Sequence, residues 1–466
     1  MLFSSTVFLF IYLPLVIGAY YVLLKNNRRG QNLLLFFASL FFYAWGEPFF
    51  VLLMILSIVM NWYFGILVSR FKNQDTDKAE LTIAVMLVFN LGIMFVFKYL
   101  RFVLTSLNMF LNLELSIPTI ELPIGISFFT FQAISYVIDV YRGNGAVQKS
   151  VINVGLYISF FPQLIAGPIV RYQTIAEQIE NRVETLADFD NGVRRFIIGL
   201  GKKVLLANTL AVVADQAFTL ASPSTSMAWL GAIAYSLQIY YDFSGYSDMA
   251  IGLGCMFGFH FMENFNYPYI SKSVSEFWRR WHISLGSWFR DYVYFPLGGS
   301  RVKAKSRLVF NLFIVWLLTG IWHGANWTFI VWGLYYFLLI TVEKLTGIEK
   351  KNIPVCIRHI VTLFFVLIGW VIFRADTLSN AVRYLSAMFG SGGSLVDNYA
   401  LFAVEENKLY LVLGILLCIP WKQKLRLTAG SAPIKTAVDL LLFGIFLITV
   451  VYLVKGTYNP FIYFNF

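Results

Sequence analysis

The sequence predicts an all-α polytopic membrane protein, and three observations carry that prediction. Hydrophobic residues make up 58% of the chain and charged residues only 13%, with a mean hydropathy of +0.69. Uncharged runs long enough to span a bilayer recur, residues 2–24 and 49–69 among them. The basic residues fall between the apolar runs, as cytoplasmic loops require. The chain therefore reads as a single membrane-embedded domain, residues 1–466, with about eleven transmembrane helices plus re-entrant and interfacial helices.

The net charge of +11 is accounted for by those loops, and no nucleic-acid partner is implied, because the basic residues form no reading module. The three cysteines, Cys255, Cys356 and Cys418, are scattered in apolar settings without CxxC spacing. They predict neither a disulfide framework nor a metal site. The first apolar run has no Lys or Arg before it and is followed by Lys25, Arg28 and Arg29. That order argues against a signal peptide and for an N-terminus outside the cytoplasm.

Residues 2–24 run inward to the basic turn 25–30, and residues 31–46 return outward to the break at Glu47-Pro48. Residues 49–69 run inward to Arg70-Phe71-Lys72, and 81–97 go back out. Residues 122–138 form a short segment opened by Pro123-Ile124-Gly125. Pro162, Gly167 and Pro168 predict a kinked or re-entrant piece over 150–170. The basic residues of 171–203 make that stretch cytoplasmic, with a surface-lying helix that ends at Lys202 and Lys203. Residues 204–221 then go out, and 229–259 come back carrying Asp242 and Asp248.

Residues 271–307 are basic and dense in aromatic side chains, with only Glu276 and Asp291 opposing. Residues 343–351 are cytoplasmic by charge, 359–373 span, and 374–407 read as a loop with a short helix. Residues 409–420, a basic turn at 421–426 and a last span at 438–454 close the chain.

The stretch 308–341 organises the rest. The only side chain in it that titrates near neutral pH is His323. As one helix it would be roughly 50 Å long, against a hydrocarbon core of about 30 Å, so it must break. The break falls at His323-Gly324-Ala325-Asn326. Each half then measures about 24 Å, which puts the turn below the membrane surface, buried in protein or lining a wet cavity. An ionisable group there is a functional candidate by default; the bland alternative is a neutral imidazole bonded to a broken helix end.

His282 lies in SVSEFWRRWHISLGSWF. Ser273 with Glu276 matches a capping box, so a helix starts near Val274. Trp278 and His282 then share a face, beside an apolar stripe of Trp281, Leu285 and Trp288, with the rings at headgroup level on the inner interface. From the residues alone, His282 is more readily structural than chemical. Asp242 and Asp248 in YYDFSGYSD belong to a polar segment that serves helix packing as readily as catalysis. Asp139 and Asp439 read as structural, His260 and His359 as interfacial.

No GxSxG, P-loop, HExxH or Rossmann fingerprint accompanies these residues. A lone imidazole serves either as general base or as acyl-accepting nucleophile. Acyl transfer from a thioester to a hydroxyl needs little else beyond a polarising donor.

EFWRRWHISLGSWFRDYVYFPLGGSR followed by LLTGIWHGANWTFIVWGLYY resembles the membrane-bound O-acyltransferase family. Within it the likeness is to the alginate O-acetyltransferases and related bacterial cell-surface polysaccharide acetyltransferases. PIGISFFTFQAISYVIDVYRG, SFFPQLIAGPIVRY and YYDFSGYSDMAIGLG resemble that branch as well, and the likeness runs from the N-terminal segment to at least Tyr336. The resemblance implies a ring of helices around a thinned centre with a funnel from each side. It assigns His323 and His282 as the two active-site histidines, with Asn326, Trp281, Asp242 and Asp248 as supporting residues. Arg279, Arg280 and Arg290 become candidates for the phosphates of the donor, although positive-inside topology explains them equally well.

It further implies acetyl-CoA or another cytoplasmic acetyl thioester as donor, with no permanently bound cofactor. The acceptor is an extracytoplasmic polysaccharide (alginate-like, cellulose or peptidoglycan), reached through a serine-esterase-like partner in the periplasm or at the cell surface. The location is the bacterial inner membrane. Two other readings stay open: D-alanyl or other acyl transfer to teichoic acid or lipid on the same fold, and a proton-coupled transporter. The lack of an internal repeat counts against the transporter.

Overall fold

In the computed structural model, which describes residues 1–421, 432–456, 458 and 460, every regular element among the described residues is helical. Beyond Trp421, the basic turn expected at 421–426 lies outside the described residues. The chain forms two compact units, Met1–Phe196 with Tyr246–Met262, and Ile197–Gly245 with Glu263–Phe466.

The first unit contains α1 (Phe8–Leu23), α2 (Arg28–Ala44), α3 (Phe50–Phe71), α4 (Thr76–Leu111), α5 (Ile126–Arg142), α6 (Val151–Ser159), α7 (Phe161–Leu164) and α8 (Tyr172–Asn181). Local chemistry sets the starts. Asn27 caps α2 and Asp75 caps α4, each side chain accepting a bond from a free backbone N–H of the first turn. Inside the apolar α3 and α4, Asn61 and Asn90 exchange amide hydrogen bonds at 3.0 and 2.8 Å, polar glue between two otherwise oily surfaces. The kink expected over 150–170 is present: α6 ends where Phe160 turns to ψ 114°, α7 follows, and residues 165–170 are irregular and buried.

Helices α9 (Leu186–Thr219) and α10 (Thr225–Met256) contribute to both units. The second unit also holds α11 (Val274–Arg280), α12 (Ile283–Phe289), α13 (Lys305–His323), α14 (Trp327–Thr346), α15 (Val355–Arg374), α16 (Leu378–Ser386), α17 (Asn398–Leu416) and α18 (Pro433–Val454).

Among the described residues, α3, α4, α9, α13, α14, α15 and α18 are the seven helices long and apolar enough to cross a membrane; α1 is apolar but shorter. The other expected crossings coincide with α2, α5, α10 and α17, which are shorter or more polar.

Two expectations are corrected. Lys202 and Lys203 do not end a cytoplasmic helix: α9 runs on through them to Thr219. Lys203 is buried and forms an ion pair with Asp242 of α10 at 2.5 Å, so its charge answers a buried carboxylate, not the cytoplasm. Second, residues 374–407 hold the expected short helix as α16, but the loop after it is shorter than expected, because Asp397 caps α17 by accepting from Ala400 N–H, and that helix starts there.

Candidate active site at a buried hairpin turn

Helices α13 and α14 form the hairpin that the length argument requires, and the break is where the sequence puts it. Helix α13 ends at His323 and α14 begins at Trp327, with Asn326 as its cap. The two helices lie backbone to backbone. A Cβ on Gly320 would come within 2.5 Å of the Phe329 carbonyl oxygen, and one on Gly333 within 2.5 Å of that of Trp316. Only glycine permits that approach. The Asn326 side chain ties the turn down at both ends. Its Oδ1 accepts from Thr328 N–H at 3.1 Å, and its Nδ2 donates to the Asp376 carbonyl oxygen just beyond α15 at 2.8 Å. Asn326 is thus a structural support of the turn.

His323 is 7% exposed. Three aromatic rings meet its imidazole edge to face: Trp322 at 5.1 Å between centroids, Trp332 at 5.0 Å and Phe373 at 5.1 Å.

His282 reaches the same neighbourhood by another route. The spacing predicts Trp278 and His282 one turn apart on a single helix, but α11 stops at Arg280 and His282 takes φ 45°, ψ 53°, in the left-handed region. Tertiary bonds outcompete the helix at this point. Asn266 N–H donates to the Arg280 carbonyl and Ile283 N–H to the Asn264 carbonyl, both at 2.9 Å. A non-glycine residue in that conformation costs about 1–2 kcal/mol, so the surroundings must over-determine it.

Asn264 does so. Its Oδ1 accepts from Ser284 N–H at 3.1 Å and Ser284 Oγ–H at 2.8 Å, and it lies 3.2 Å from His282 Nδ1. An amide oxygen can only accept, so Nδ1 carries the proton and Nε2 keeps the lone pair. Burial pushes the His282 imidazolium pKa down to about 3.

The structure brings both histidines against one side chain. The Trp322 indole is 6.1 Å from the His282 ring and 5.1 Å from the His323 ring, crossing them at 74° and 78°. Trp322, Asn264 and Ser284 were not singled out from the sequence. An Asn inside the aromatic run FMENFNYPY was the available signal for Asn264.

The aromatic stripe is corrected as well. Its rings face protein, not headgroups. Trp281 stacks on Phe277 at 5.5 Å and meets Trp370 at 4.8 Å, and Trp278 packs edge-on against Trp316, Trp332 and Tyr336. Trp281 therefore supports the site by packing. Ser273 does cap α11, accepting from Glu276 N–H at 3.0 Å, while the Glu276 carboxylate reaches back one residue further, to Lys272 N–H. From the end of α14, Glu343 accepts from the N–H groups of Val274 and Ser275 at 2.7 and 2.8 Å.

The remaining candidates are elsewhere engaged. Arg279 and Arg290 are more than half exposed, 3.9 Å from Glu349 and 3.1 Å from Asp291; Arg280 pairs with Glu276 at 3.0 Å. Asp242 pairs with Lys203, and Asp248 with Arg195 at 2.9 Å. Among the described residues no group of three or more His, Cys, Asp or Glu side chains could hold a metal ion.

A cavity of about 390 Å³ adjoins the hairpin turn. Asn326, Thr328 and Phe329 line it from α14, Phe373, Arg374 and Asp376 from the end of α15, and Asp215, Tyr235 and Gln238 from α9 and α10. Phe373 touches both the cavity and the His323 ring.

A multi-span helical protein with a buried histidine at the turn between two apolar helices, a second imidazole sharing its tryptophan, and the sequence around both is a membrane-bound O-acyltransferase: the chain belongs to that family, whose sequence pattern matches residues 146–348. It is 42% identical over 492 residues to the probable alginate O-acetylase AlgI of Pseudomonas putida, covering 100% of both chains. It is 35% identical over 428 residues to the peptidoglycan O-acetyltransferase of Helicobacter pylori, with 84% of this chain and 80% of that one covered. It is 30% identical over 271 residues to the teichoic acid D-alanyltransferase of Bacillus subtilis, with 54% and 68% covered.

Proposed function

We propose that this O-acyltransferase moves an acetyl group from a cytoplasmic thioester, acetyl-CoA or a similar donor, across the membrane for O-acetylation of an extracytoplasmic polysaccharide of the alginate, cellulose or peptidoglycan kind. The observation that carries the reading is His323, a buried imidazole at a hairpin turn that shares the Trp322 indole with His282. The relatives matched over most of the chain support acetyl as the group transferred: those named for O-acetylation cover 100% and 84% of it, the D-alanyltransferase only 54%.

His323 acts as general base. It takes the proton of the acceptor hydroxyl as that oxygen attacks the thioester carbonyl carbon. The carbon–sulfur bond breaks, the thiolate leaves, and the imidazolium returns the proton to it. His282 is the second histidine of the site, neutral, with Nε2 as its lone-pair nitrogen. The donor enters from the side of the basic stretch 271–307, which is cytoplasmic by the positive-inside rule, and this puts the N-terminus outside. Arg279, Arg280 and Arg290 attract the donor's phosphates. The hydroxyl comes from the opposite face, where a serine-esterase-like partner hands the acetyl group on to polysaccharide. The inner membrane of a bacterium is the location this scheme needs.

The test is transfer by the purified protein in lipid nanodiscs with radiolabelled acetyl-CoA. His323→Ala should lower the rate by about 10² to 10⁴. Near-wild-type transfer by that variant, at equal insertion, sinks the assignment. A labelled protein adduct formed without acceptor, and absent in His323→Ala, would replace direct attack by an acetyl-imidazole intermediate.

A further inference from the structure

The amide of Asn264 has one orientation that its surroundings allow. A backbone N–H can only donate, and Ser284 N–H meets one terminal atom of that amide at 3.1 Å, so this atom is the oxygen. Ser284 Oγ–H reaches the same oxygen at 2.8 Å, and His282 Nδ1 lies 3.2 Å from it. Having given its proton to Asn264, Ser284 Oγ turns a lone pair toward Nδ1 as well, at 3.4 Å. The place of the imidazole proton is therefore dictated by a main-chain donor two residues further on. All three side chains are buried, Asn264 at 2%, Ser284 at 0% and His282 at 3% exposure, so bulk water does not compete for these bonds.

An aspartate would accept the same three hydrogen bonds, so an amide at this position is a choice about charge. A carboxylate against an imidazole favours the imidazolium, whereas an amide orients the ring and leaves its charge to burial, which favours the neutral form. The other groups against the ring agree with that choice. Phe265 is 6.2 Å and Trp322 6.1 Å from it between centroids, and neither carries a charge. The charged groups of the neighbouring elements are turned elsewhere. Glu276 pairs with Arg280, Arg279 faces Glu349, Arg290 faces Asp291, and Glu343 accepts from the N–H groups that open α11. Glu263 and Lys272 are exposed, and His323 on α13 shares the Trp322 indole.

We propose that Asn264 is a positioning residue for the transfer reaction: it locks the proton of His282 on Nδ1 and keeps that ring uncharged, so that His323 alone changes protonation state in each turnover. The proton of the acceptor hydroxyl then passes to His323 and on to the departing thiolate, and none is lodged on His282 in between. The inference rests on the proposed histidine-dependent transfer for its kinetic consequences, but the lock itself is read without turnover.

The test uses the full-length protein in lipid nanodiscs with isotopically labelled histidine, read by solid-state NMR, which tells a protonated ring nitrogen from a bare one. The chain has only four histidines, so the His282 signals are those lost in His282→Gln. In the wild type Nδ1 should stay protonated and Nε2 bare from about pH 8 to about pH 5. Asn264→Asp keeps an acceptor for Ser284 and His282 and adds only charge. An opposite charge at this distance raises an imidazole by about one to three pH units, from about 3 to between about 4 and 6, so the variant ring should take its second proton as the pH falls through that window. Acetyl transfer from labelled acetyl-CoA supplies the second readout. On the acid side kcat/KM should fall about tenfold per pH unit in the wild type, the mark of one ionising group, and up to about a hundredfold per unit in Asn264→Asp. Asn264→Leu should release the tautomer and lower kcat about 10- to 100-fold, the usual cost of losing the partner that orients a functional histidine.

A wild-type ring with its proton on Nε2, or with both nitrogens protonated near neutral pH, overturns the lock. A wild-type acid limb of about a hundredfold per pH unit makes His282 a second titrating group and overturns the single-base scheme. Asn264→Asp indistinguishable from wild type in both readouts removes the meaning of the uncharged amide. Activity lost in Asn264→Leu with the tautomer intact marks a packing defect and counts against positioning. The expected NMR pattern in wild type and Asn264→Asp, without acetyl transfer by the wild type, upholds the lock and rejects the reaction.

Discussion

The two imidazoles reach one indole from unlike backbones. His323 ends a regular helix, and its turn is satisfied by Asn326 and allowed by the Gly320–Gly333 approach. His282 sits in a left-handed break between two short helices, held by Asn264 and Ser284. The first position is cheap for the fold and the second is strained. A residue kept where the backbone is relaxed need answer only to the ring's surroundings. A residue kept where the backbone is costly must also answer for its φ and ψ, and its removal changes two things at once.

The largest effect should come from the relaxed site. His323→Ala removes an imidazole without disturbing the backbone, so activity should fall about 10²- to 10⁴-fold while membrane insertion is kept and stability falls only by the packing lost around the ring. If stability falls as far as activity does, the contrast between the two positions dissolves.

The strained site separates its two roles under substitution. His282→Gly removes the ring and relieves the left-handed backbone, whereas His282→Ala removes the ring and keeps the strain. Alanine should be the less stable of the two by about 1 kcal/mol, and both should lose activity. Equal stability in thermal unfolding of the two variants would show that the backbone at His282 carries no strain worth relieving.

Acid sharpens the same contrast. The folded protein holds His282 neutral down to about pH 3, while the unfolded chain protonates it near its ordinary pKa of about 6.5. The unfolded state therefore binds the extra proton between these values. Stability should be fullest above about pH 6.5 and decline as pH falls toward 3, by up to about 1.4 kcal/mol per pH unit. His282→Gln lacks the titration and should show a shallower decline. Identical slopes for the two proteins over that window would remove the buried-neutral assignment.

What the sequence made legible follows the same division. The hairpin break at His323 could be read because membrane thickness is a hard length constraint and 308–341 exceeds it. The strain at His282 could not, because the competing bonds come from Asn264 and Asn266, whose distance in space no local rule supplies. Ser273 gave the start of α11 correctly, since a cap is local; its end at Arg280 is tertiary. Lys203 misled for a related reason. A lysine after a basic run reads as a cytoplasmic end, and only the carboxylate of Asp242, on another helix, reveals it as half of a buried pair. The aromatic stripe of Trp278 and Trp281 was visible as a stripe, but composition does not distinguish rings against protein from rings against headgroups.

The smallest effect belongs to the exposed arginines, which lie outside both imidazole environments. Charge reversal at Arg279 or Arg290 should raise the KM for acetyl-CoA only about two- to fivefold, because both groups are solvated and already face Glu349 and Asp291. The shift should grow at low ionic strength, where screening reaches further, and kcat should stay level. A kcat loss instead would move these arginines into the chemistry of the site, which their exposure argues against. A KM indifferent to salt would leave the charges only their topological meaning. That meaning is open to its own measurement: a cysteine introduced at the exposed Ser300 should be labelled only from the cytoplasmic side of intact cells. Labelling from outside would invert the hairpin, put the turn and its cavity on the donor side, and turn the proposed route of both substrates around.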